Sequence, residues 1–244
     1  MNKFYQWVAS TAIVFLFVLA LVWHFSQNGN KPAGSLLDAQ NLTLQASELK
    51  TLQDLTFTEP LKKHWKEHIF KNPSNYQVEG DVLHASSAAS SSMIYQEVNL
   101  DLSKRPILTW EWKAVQFPSN KRSKHLAQKS DNDFSGRVYV ICKGKTPLAA
   151  DVIQYVWDDR FPEGTIGDSP FLKNVKVLVV QNGPSNDWIS EVRDVYADYR
   201  QLFGRRPPAH LSAVAVMSDS DNTKTRSEIY FRNLSIKKLK IASV

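Results

Sequence analysis

The chain is poor in cysteine, with Cys142 alone among its 244 residues. One thiol cannot form an intramolecular disulfide, so a disulfide scaffold and a multi-cysteine zinc site are both excluded. No P-loop, no dinucleotide-binding glycine pattern and no G-x-S-x-G run occurs, which removes the common nucleotide and hydrolase signatures. Cys142 itself lies in an apolar run, Val138 to Cys142, which predicts a buried structural thiol.

The amino-acid composition is typical of a globular protein. Hydrophobic residues make up 43%, charged residues 22% and aromatic residues 11% of the sequence. These fractions are sufficient for a sizeable core and exclude collagen-like, coiled-coil and wholly disordered classes. The length allows one large domain or two small ones, and we expect one folded unit plus an anchor.

Basic charge is concentrated in the carboxy-terminal three quarters of the chain. Residues 1–60 carry three lysines and four acids, so the remainder holds 27 of the 30 basic and 20 of the 24 acidic side chains. Such a surface favours anionic partners or is a solvated face that affects only solubility. The densest basic run, between Lys121 and Lys129, lacks interleaved aromatic residues, which argues against nucleic-acid binding.

The amino terminus contains one long apolar run. Residues 4–25 carry no formal charge, and these 22 residues would span about 33 Å as a helix, enough to cross a bilayer. Trp7 and Trp23 lie near its two ends, where aromatic rings prefer the headgroup layer. No Ala-x-Ala site follows the run, so we favour an uncleaved anchor over residues 1–27 to a cleaved signal peptide. The expected topology is a single pass through the inner membrane, with the carboxy-terminal domain in the periplasm.

The sequence of residues 28–60 predicts a linker or stalk. The segment opens with Asn, Gly and Pro residues typical of turns, and spaced leucines between Leu42 and Leu55 follow. These leucines could form a strand and a short helix against the domain or belong to a loosely ordered stalk, and the sequence does not distinguish the two.

From residue 61 to about residue 240 the sequence has the pattern of a β protein. Short apolar runs alternate with polar breaks, and Leu108, Trp110 and Trp112 share one face of a run with period two. A single helical pattern covers residues 188–203. The prediction is a mainly β fold, a two-sheet, jelly-roll-like β-sandwich with one amphipathic helix, preceded by the amino-terminal transmembrane helix.

Many ordered motifs of residues 61–237 resemble a known family. They are Trp65, Tyr76, Val82–Ser87, Leu108–Lys113, Asp131 and Asp133 before Arg137–Val140, Tyr155–Trp157, Asn182–Gly183 before Trp188, Arg193–Val195, Asp198–Tyr199 and Met217–Thr223. In these the chain is similar to the bacterial envelope family catalogued as "domain of unknown function 3047". The resemblance implies an exported bacterial protein with a β-sandwich similar to carbohydrate-binding modules, and it implies no activity or site.

Polar clusters supply the candidate ligand-binding residues. Two predicted loops are rich in side chains that carry oxygen atoms, and an alternating aromatic run is followed by an acid. The candidate residues are Asp131, Asp133, Arg137, Tyr155, Trp157, Asp158, Asp219, Asp221 and Asn222. Three interpretations stay open. The acids could pair with arginines and cap turns, Asp219 and Asp221 could bind Ca²⁺ although the loop lacks full EF-hand spacing, or the cluster could bind a glycan beside an exposed Trp157.

The functional hypothesis is a membrane-anchored periplasmic binding module, with an envelope saccharide as the preferred ligand. One alternative is a glycan hydrolase or lyase that uses paired carboxylates, whose separation the sequence does not fix. The other is a protein-interaction scaffold of the cell envelope. No catalytic residue is identified, no cofactor is expected apart from the possible calcium ion, and an envelope protein is the alternative partner.

Overall fold

The computed structural model describes residues 49–126, 128–144, 146 and 149–239 of the chain. The predicted anchor at residues 4–25 lies outside them. Within the described part of the chain, no helix is both long enough and apolar enough to span a membrane.

The described residues form two β-sheets. The first, sheet A, has six strands, in the order β11 (Ile189–Asp194), β6 (Ile107–Gln116), β13 (Arg226–Leu239), β4 (Val82–Ala88) and β3 (Asn75–Glu79), with β1 (Leu49–Asp54) also paired to β13. The second, sheet B, has seven strands, in the order β2 (Lys66–Ile69), β5 (Ser91–Asp101), β12 (His210–Asp219), β7 (Gly136–Cys142), β8 (Val152–Asp158), β10 (Val175–Asn182) and β9 (Ile166–Asp168). The described pairs are antiparallel except β8 and β10, which run parallel. The prediction of a mainly β, two-sheet sandwich with one helix is confirmed.

The core between the sheets is built around large aromatic rings. Trp110 and Trp112 from β6 meet Tyr155 and Trp157 from β8, with ring centroids 5.5 Å apart for Trp110–Tyr155 and 5.3 Å for Trp112–Trp157. All four side chains are essentially inaccessible to solvent. Burying such rings stabilises a fold by area and by tilted ring contacts, so these residues hold the two sheets together.

The helix is shorter than the sequence pattern predicts. Residues Ile189–Asp194 form β11 on the edge of sheet A, and helix α1 covers only Val195–Phe203. Asp194 caps the helix by accepting a hydrogen bond from the Ala197 amide at 3.0 Å. Residues 189–194 also satisfy a period of two, and pairing with the edge of β6 decides between the two periodicities.

The sandwich extends further toward the amino terminus than the boundary expected at residue 61. Strand β1 pairs antiparallel with β13, and Leu55 and Phe57, which follow it, are fully buried. The last part of the expected stalk, from Leu49 onward, therefore contributes to the core. Cys142 is fully buried, and burial raises the pKa of its thiol to about 12, which confirms the structural interpretation.

The two sheets differ in what covers their outer faces. The outer face of sheet B is apolar and carries buried side chains such as Met93, Tyr139, Val177 and Met217. Segments between strands cover it, including those that bring Leu126 and Phe134 over the sheet. An antiparallel sheet normally exposes one face to water, and here sheet A is the one that does so.

Candidate functional site

The loop between β12 and β13 gathers several of the residues singled out in the sequence. Arg137 of β7 and Asp219 of β12 form a buried bidentate ion pair, with Arg137 Nε donating to Asp219 Oδ1 at 2.9 Å. Arg137 Nη1 also donates to Gln154 Oε1 at 2.8 Å, and the guanidinium lies 4.5 Å from the Phe134 ring centroid. The Arg137 guanidinium is therefore occupied by protein groups.

Asp133 organises the same loop from the other side. Its Oδ2 accepts hydrogen bonds from the amide and hydroxyl of Thr223, both at 2.7 Å, and its Oδ1 accepts one from Asn222 Nδ2 at 2.9 Å. Asp221 is half-buried, and its carboxylate lies 3.7 Å from Lys71 Nζ. The contacts of Asp133, Arg137, Asp219 and Asn222 agree with the interpretation of ion pairing and turn capping. The side chain of Asp131 lies outside the described residues.

Three of these carboxylates come close enough to suggest a cation site. One oxygen each of Asp133, Asp219 and Asp221 lies within 4.8 Å of the others. Burial raises the pKa of Asp219 to about 7, and the neighbouring Asp133 acts in the same direction while Arg137 opposes it. However, each of the three carboxylates already accepts protein hydrogen bonds, including Asp221, whose Oδ1 accepts one from Asn222 Nδ2 at 3.1 Å. The donor set fits a structural network better than Ca²⁺.

The expectation of an exposed aromatic at Trp157 is wrong. Trp157 and Tyr155 are fully buried because their face of β8 points to the other sheet. Trp157 Nε1 donates to the Gly183 carbonyl at 2.8 Å, and Tyr155 Oη donates to Asp198 at 2.7 Å. Asp158 is also buried and accepts a hydrogen bond from Lys121 Nζ at 2.8 Å. These residues belong to the core and cannot line an open sugar site.

The open face of sheet A carries a different set of polar and aromatic side chains. His84 of β4 stacks on Tyr230 of β13 with ring centroids 4.5 Å apart and an interplanar angle of 13°. His84 Nε2 lies 2.8 Å from Glu228 Oε1, which is also 3.4 Å from the Tyr230 hydroxyl. Further along the face, Arg232 pairs with Glu111 at 2.7 Å. These groups are only partly buried.

A cavity of about 260 Å³ opens on this face at the end of β4. The volume lies just below the ~300–1,000 Å³ range of small-ligand pockets. Glu228 connects the cavity to the His84–Tyr230 pair. The residues that line it are Pro73, Asn75, Ser86, Ser87, Ala88, Ser90, Gln116, Arg226, Ser227 and Glu228.

Some polar groups of the cavity have hydrogen-bond partners within the protein, and others have none among the described residues. Ser87 Oγ lies 2.6 Å from Ser227 Oγ and 2.8 Å from Ser220 Oγ, so these hydroxyls are used within the protein. By contrast, the side chains of Asn75, Gln116 and Arg226 make no hydrogen bond or ion pair with any described residue. Two carboxamides and one guanidinium therefore remain available to a ligand.

The candidate residues predicted from the sequence do not include this face. Its signal is present in the alternation of residues 226–232, where Arg226, Glu228, Tyr230 and Arg232 fall on one side of β13 and buried residues on the other. A second cavity, of about 300 Å³, lies at the opposite end of the sandwich and is lined by Tyr196, Arg206 and Pro207 among others. It offers fewer free polar groups than the first.

A family model described as "Protein of unknown function (DUF3047)" matches residues 63–235. The match confirms the resemblance noted in the sequence. No curated protein matches the chain.

Several solved structures similar to this chain are named as carbohydrate-binding modules or glycoside hydrolases. The xyloglucanase domain of NopAA from Sinorhizobium fredii, in complex with cellobiose, is 11% identical with a TM-score of 0.44, covering 78% of this chain and 99% of that one. A cellulase derived from Cel12A of Rhodothermus marinus is 10% identical with a TM-score of 0.45 (77% and 97%). The family 11 carbohydrate-binding module of Lic26A-Cel5E of Clostridium thermocellum is 10% identical with a TM-score of 0.39 (77% and 93%). Similarities this distant carry no argument about ligand or activity.

Proposed function

The chain belongs to the DUF3047 family, described as proteins of unknown function, and from its own geometry we propose that it is a saccharide-binding module of the cell envelope. We place the saccharide in the cavity on the outer face of sheet A. Residues 4–25 would anchor the chain in the inner membrane and hold the sandwich in the periplasm, as the sequence predicts.

The observation that carries this proposal is the free hydrogen-bonding capacity of the cavity. Sugar hydroxyls both donate and accept, and the carboxamides of Asn75 and Gln116 offer both functions without a protein partner among the described residues. The half-buried His84–Tyr230 pair beside Glu228 adds ring surface next to the polar groups. A small number of polar groups that converge in a concave surface is typical of a small-ligand site.

Charge at the cavity favours a saccharide that bears an acidic group. The Glu228 carboxylate is engaged by His84, whereas the Arg226 guanidinium is exposed and has no acidic partner among the described residues. A carboxylate or sulfate on the ligand would give Arg226 a charge-assisted hydrogen bond. The same arrangement favours binding over hydrolysis, because Glu228 is the one carboxylate among the described residues that line the cavity and glycosidic hydrolysis uses a pair.

The test is calorimetric titration of the full-length protein in detergent with neutral and acidic envelope oligosaccharides. Asn75→Ala should weaken binding about 3- to 10-fold, the effect of losing one neutral hydrogen bond. Arg226→Ala should weaken binding of the acidic ligand about 10- to 100-fold and leave neutral ligands nearly unchanged. Lys124→Ala, on an exposed loop, is the matched control. Binding that survives both cavity substitutions would place the site elsewhere, and no binding to any saccharide would refute the proposal.

A further inference from the structure

One end of the sandwich is where the described chain begins. Strand register places Leu49 of β1 opposite Leu239, Lys237 opposite Ile107, and Ile107 opposite Asp194, so these strand ends lie at the same edge of sheet A. Helix α1 follows Asp194 directly. In sheet B, Asp101 at the end of β5 lies opposite His210 at the start of β12. We call this the amino-terminal end.

Six exposed lysine and arginine side chains lie at the amino-terminal end. They come from separate segments that meet there: β1, the turn before β6, the loop after β7, helix α1, the loop after it, and the end of β13. None makes an ion pair or a side-chain hydrogen bond with another described residue. The side chains are Lys50, Lys104, Lys143, Arg200, Arg206 and Lys238.

The acids at this end are already neutralised by other arginines. Asp151 accepts two hydrogen bonds from Arg205, at 2.7 and 2.8 Å. Asp194 accepts one from Arg105 Nε at 3.0 Å, and Asp198 pairs with the guanidinium of Arg193 at 2.6 Å. Among the described residues, Asp101 accepts from Ser103 and also faces the cations. The exposed lysines and arginines therefore constitute excess positive charge.

The opposite end of the sandwich has a different charge arrangement. There part of the positive charge is paired, Lys121 with Asp158 and Arg137 with Asp219. Lys124, Lys224 and Arg226 are exposed there and make no ion pair with a described residue. Lys71 approaches Asp221 at 3.7 Å. The end at which the described chain enters the sandwich therefore carries exposed positive charge that no described acid pairs.

We propose that the amino-terminal end docks on an anionic lipid surface, with the phosphate headgroups of the anchoring membrane as its partner. The inference rests on the proposed anchor for its geometry, because residues 26–48 alone separate the apolar run from β1. Lysine and arginine side chains near an anionic bilayer are attracted within about one Debye length, roughly 8 Å at physiological salt. The docking would leave the cavity of sheet A, at the far end of β4, directed away from the bilayer.

The test uses the full-length chain in nanodiscs of phosphatidylcholine, with or without phosphatidylglycerol. Amine labelling with mass spectrometry reports the protection of single lysines. Lys104, Lys143 and Lys238 should label about 3- to 10-fold more slowly in the anionic discs, and the difference should vanish near 0.5 M salt, where screening is nearly complete. Lys124 and Lys224, at the other end, should label equally in both discs.

A charge-reversal variant provides the matched control. Arg200→Glu with Arg206→Glu leaves the reporting lysines in place and alters only exposed side chains, so it should label in anionic discs as the wild type does in neutral ones. Equal labelling of the wild type in both discs, or protection that survives high salt, would overturn the proposal. Retention of the chain by anionic discs alone would contradict the anchor but keep the basic surface, whereas retention by neither would overturn both.

Discussion

At the scale of single residues, Glu191 is the least expected feature of the core. It lies on β11 opposite Trp110, so it shares the inner face of sheet A with Trp110 and Trp112, and it is 8% exposed. Burial raises the pKa of its carboxyl to about 7, while contacts with Gln181, Arg193 and Trp112 oppose the shift. The helical interpretation of residues 188–203 placed this residue outside the apolar face, and only the strand pairing shows that it points inward.

Glu191 should make the stability of the sandwich depend on pH. The folded chain keeps the proton up to about pH 7, whereas the unfolded chain releases it near 4.5. The contribution of Glu191 to stability is therefore greatest below pH 4.5 and falls as the pH rises to about 7. Glu191→Gln removes the charge, so it should be more stable than the wild type by about 2 to 3 kcal/mol at pH 8 and nearly equal at pH 4.5.

Urea unfolding of both proteins between pH 4.5 and pH 8 measures this difference directly. Other titrating groups, Asp219 among them, affect both proteins alike and cancel in the comparison. Glu79→Gln, on the exposed edge strand β3, should follow the wild type at every pH. A difference that does not change with pH would show that Glu191 ionises normally in the folded protein.

At the scale of elements, the Arg137–Asp219 pair ties β7 and β12 to the loop that precedes β13. The sequence brought Arg137, Asp133 and the Asp219–Asn222 loop forward as polar clusters, and the structure brings them together. The sequence could not show which acid pairs with which cation, because the pairing depends on the strand register that places Met217 opposite Arg137. The register places the following Asp219 within reach of the guanidinium and leaves Asp133 to cap Thr223.

Breaking this buried pair from one side should be costly. Arg137→Met or Asp219→Asn alone would each leave a buried charge or polar group without its partner, and we expect a loss of about 3 to 5 kcal/mol in either case. The double variant should lose much less than the sum, because neither charge remains. Chemical denaturation of the four proteins at pH 8 gives the coupling energy; strict additivity would mean that the two side chains do not interact.

The same contacts predict a weak response to calcium. Since Asp133 and Asp219 already accept hydrogen bonds from protein donors, 1 mM Ca²⁺ should shift the Tm of the full-length protein by less than about 1 °C. Differential scanning calorimetry with and without EDTA measures this shift. A rise of several degrees that disappears in Asp221→Asn would restore the calcium hypothesis.

At the scale of the whole molecule, the period-two runs of the sequence were sufficient to predict two packed sheets. They were not sufficient to tell which faces are open. Trp157 ends an alternating run as an exposed residue would, yet it is in the core because its face of β8 points to sheet A. Likewise, irregular segments cover the apolar outer face of sheet B, and the course of these segments cannot be predicted from the periodicity of the sequence. Non-local packing thus decided the location of the open surface, and with it the candidate site.

The last part of the expected stalk should be required for the sandwich as a whole. Phe57 stacks on Trp65 with ring centroids 5.0 Å apart, and the Leu55 amide donates to the Leu234 carbonyl of β13 at 2.9 Å. Phe57→Ala should therefore lower the free energy of unfolding by about 3 to 5 kcal/mol and Leu55→Ala by about 2 to 5 kcal/mol. Leu52→Ala, whose side chain is 41% exposed, should change it by less than about 0.5 kcal/mol. Denaturant unfolding of the three variants measures these effects, and equal stabilities would mean that residues 49–60 are a true linker and that the sandwich begins near residue 61.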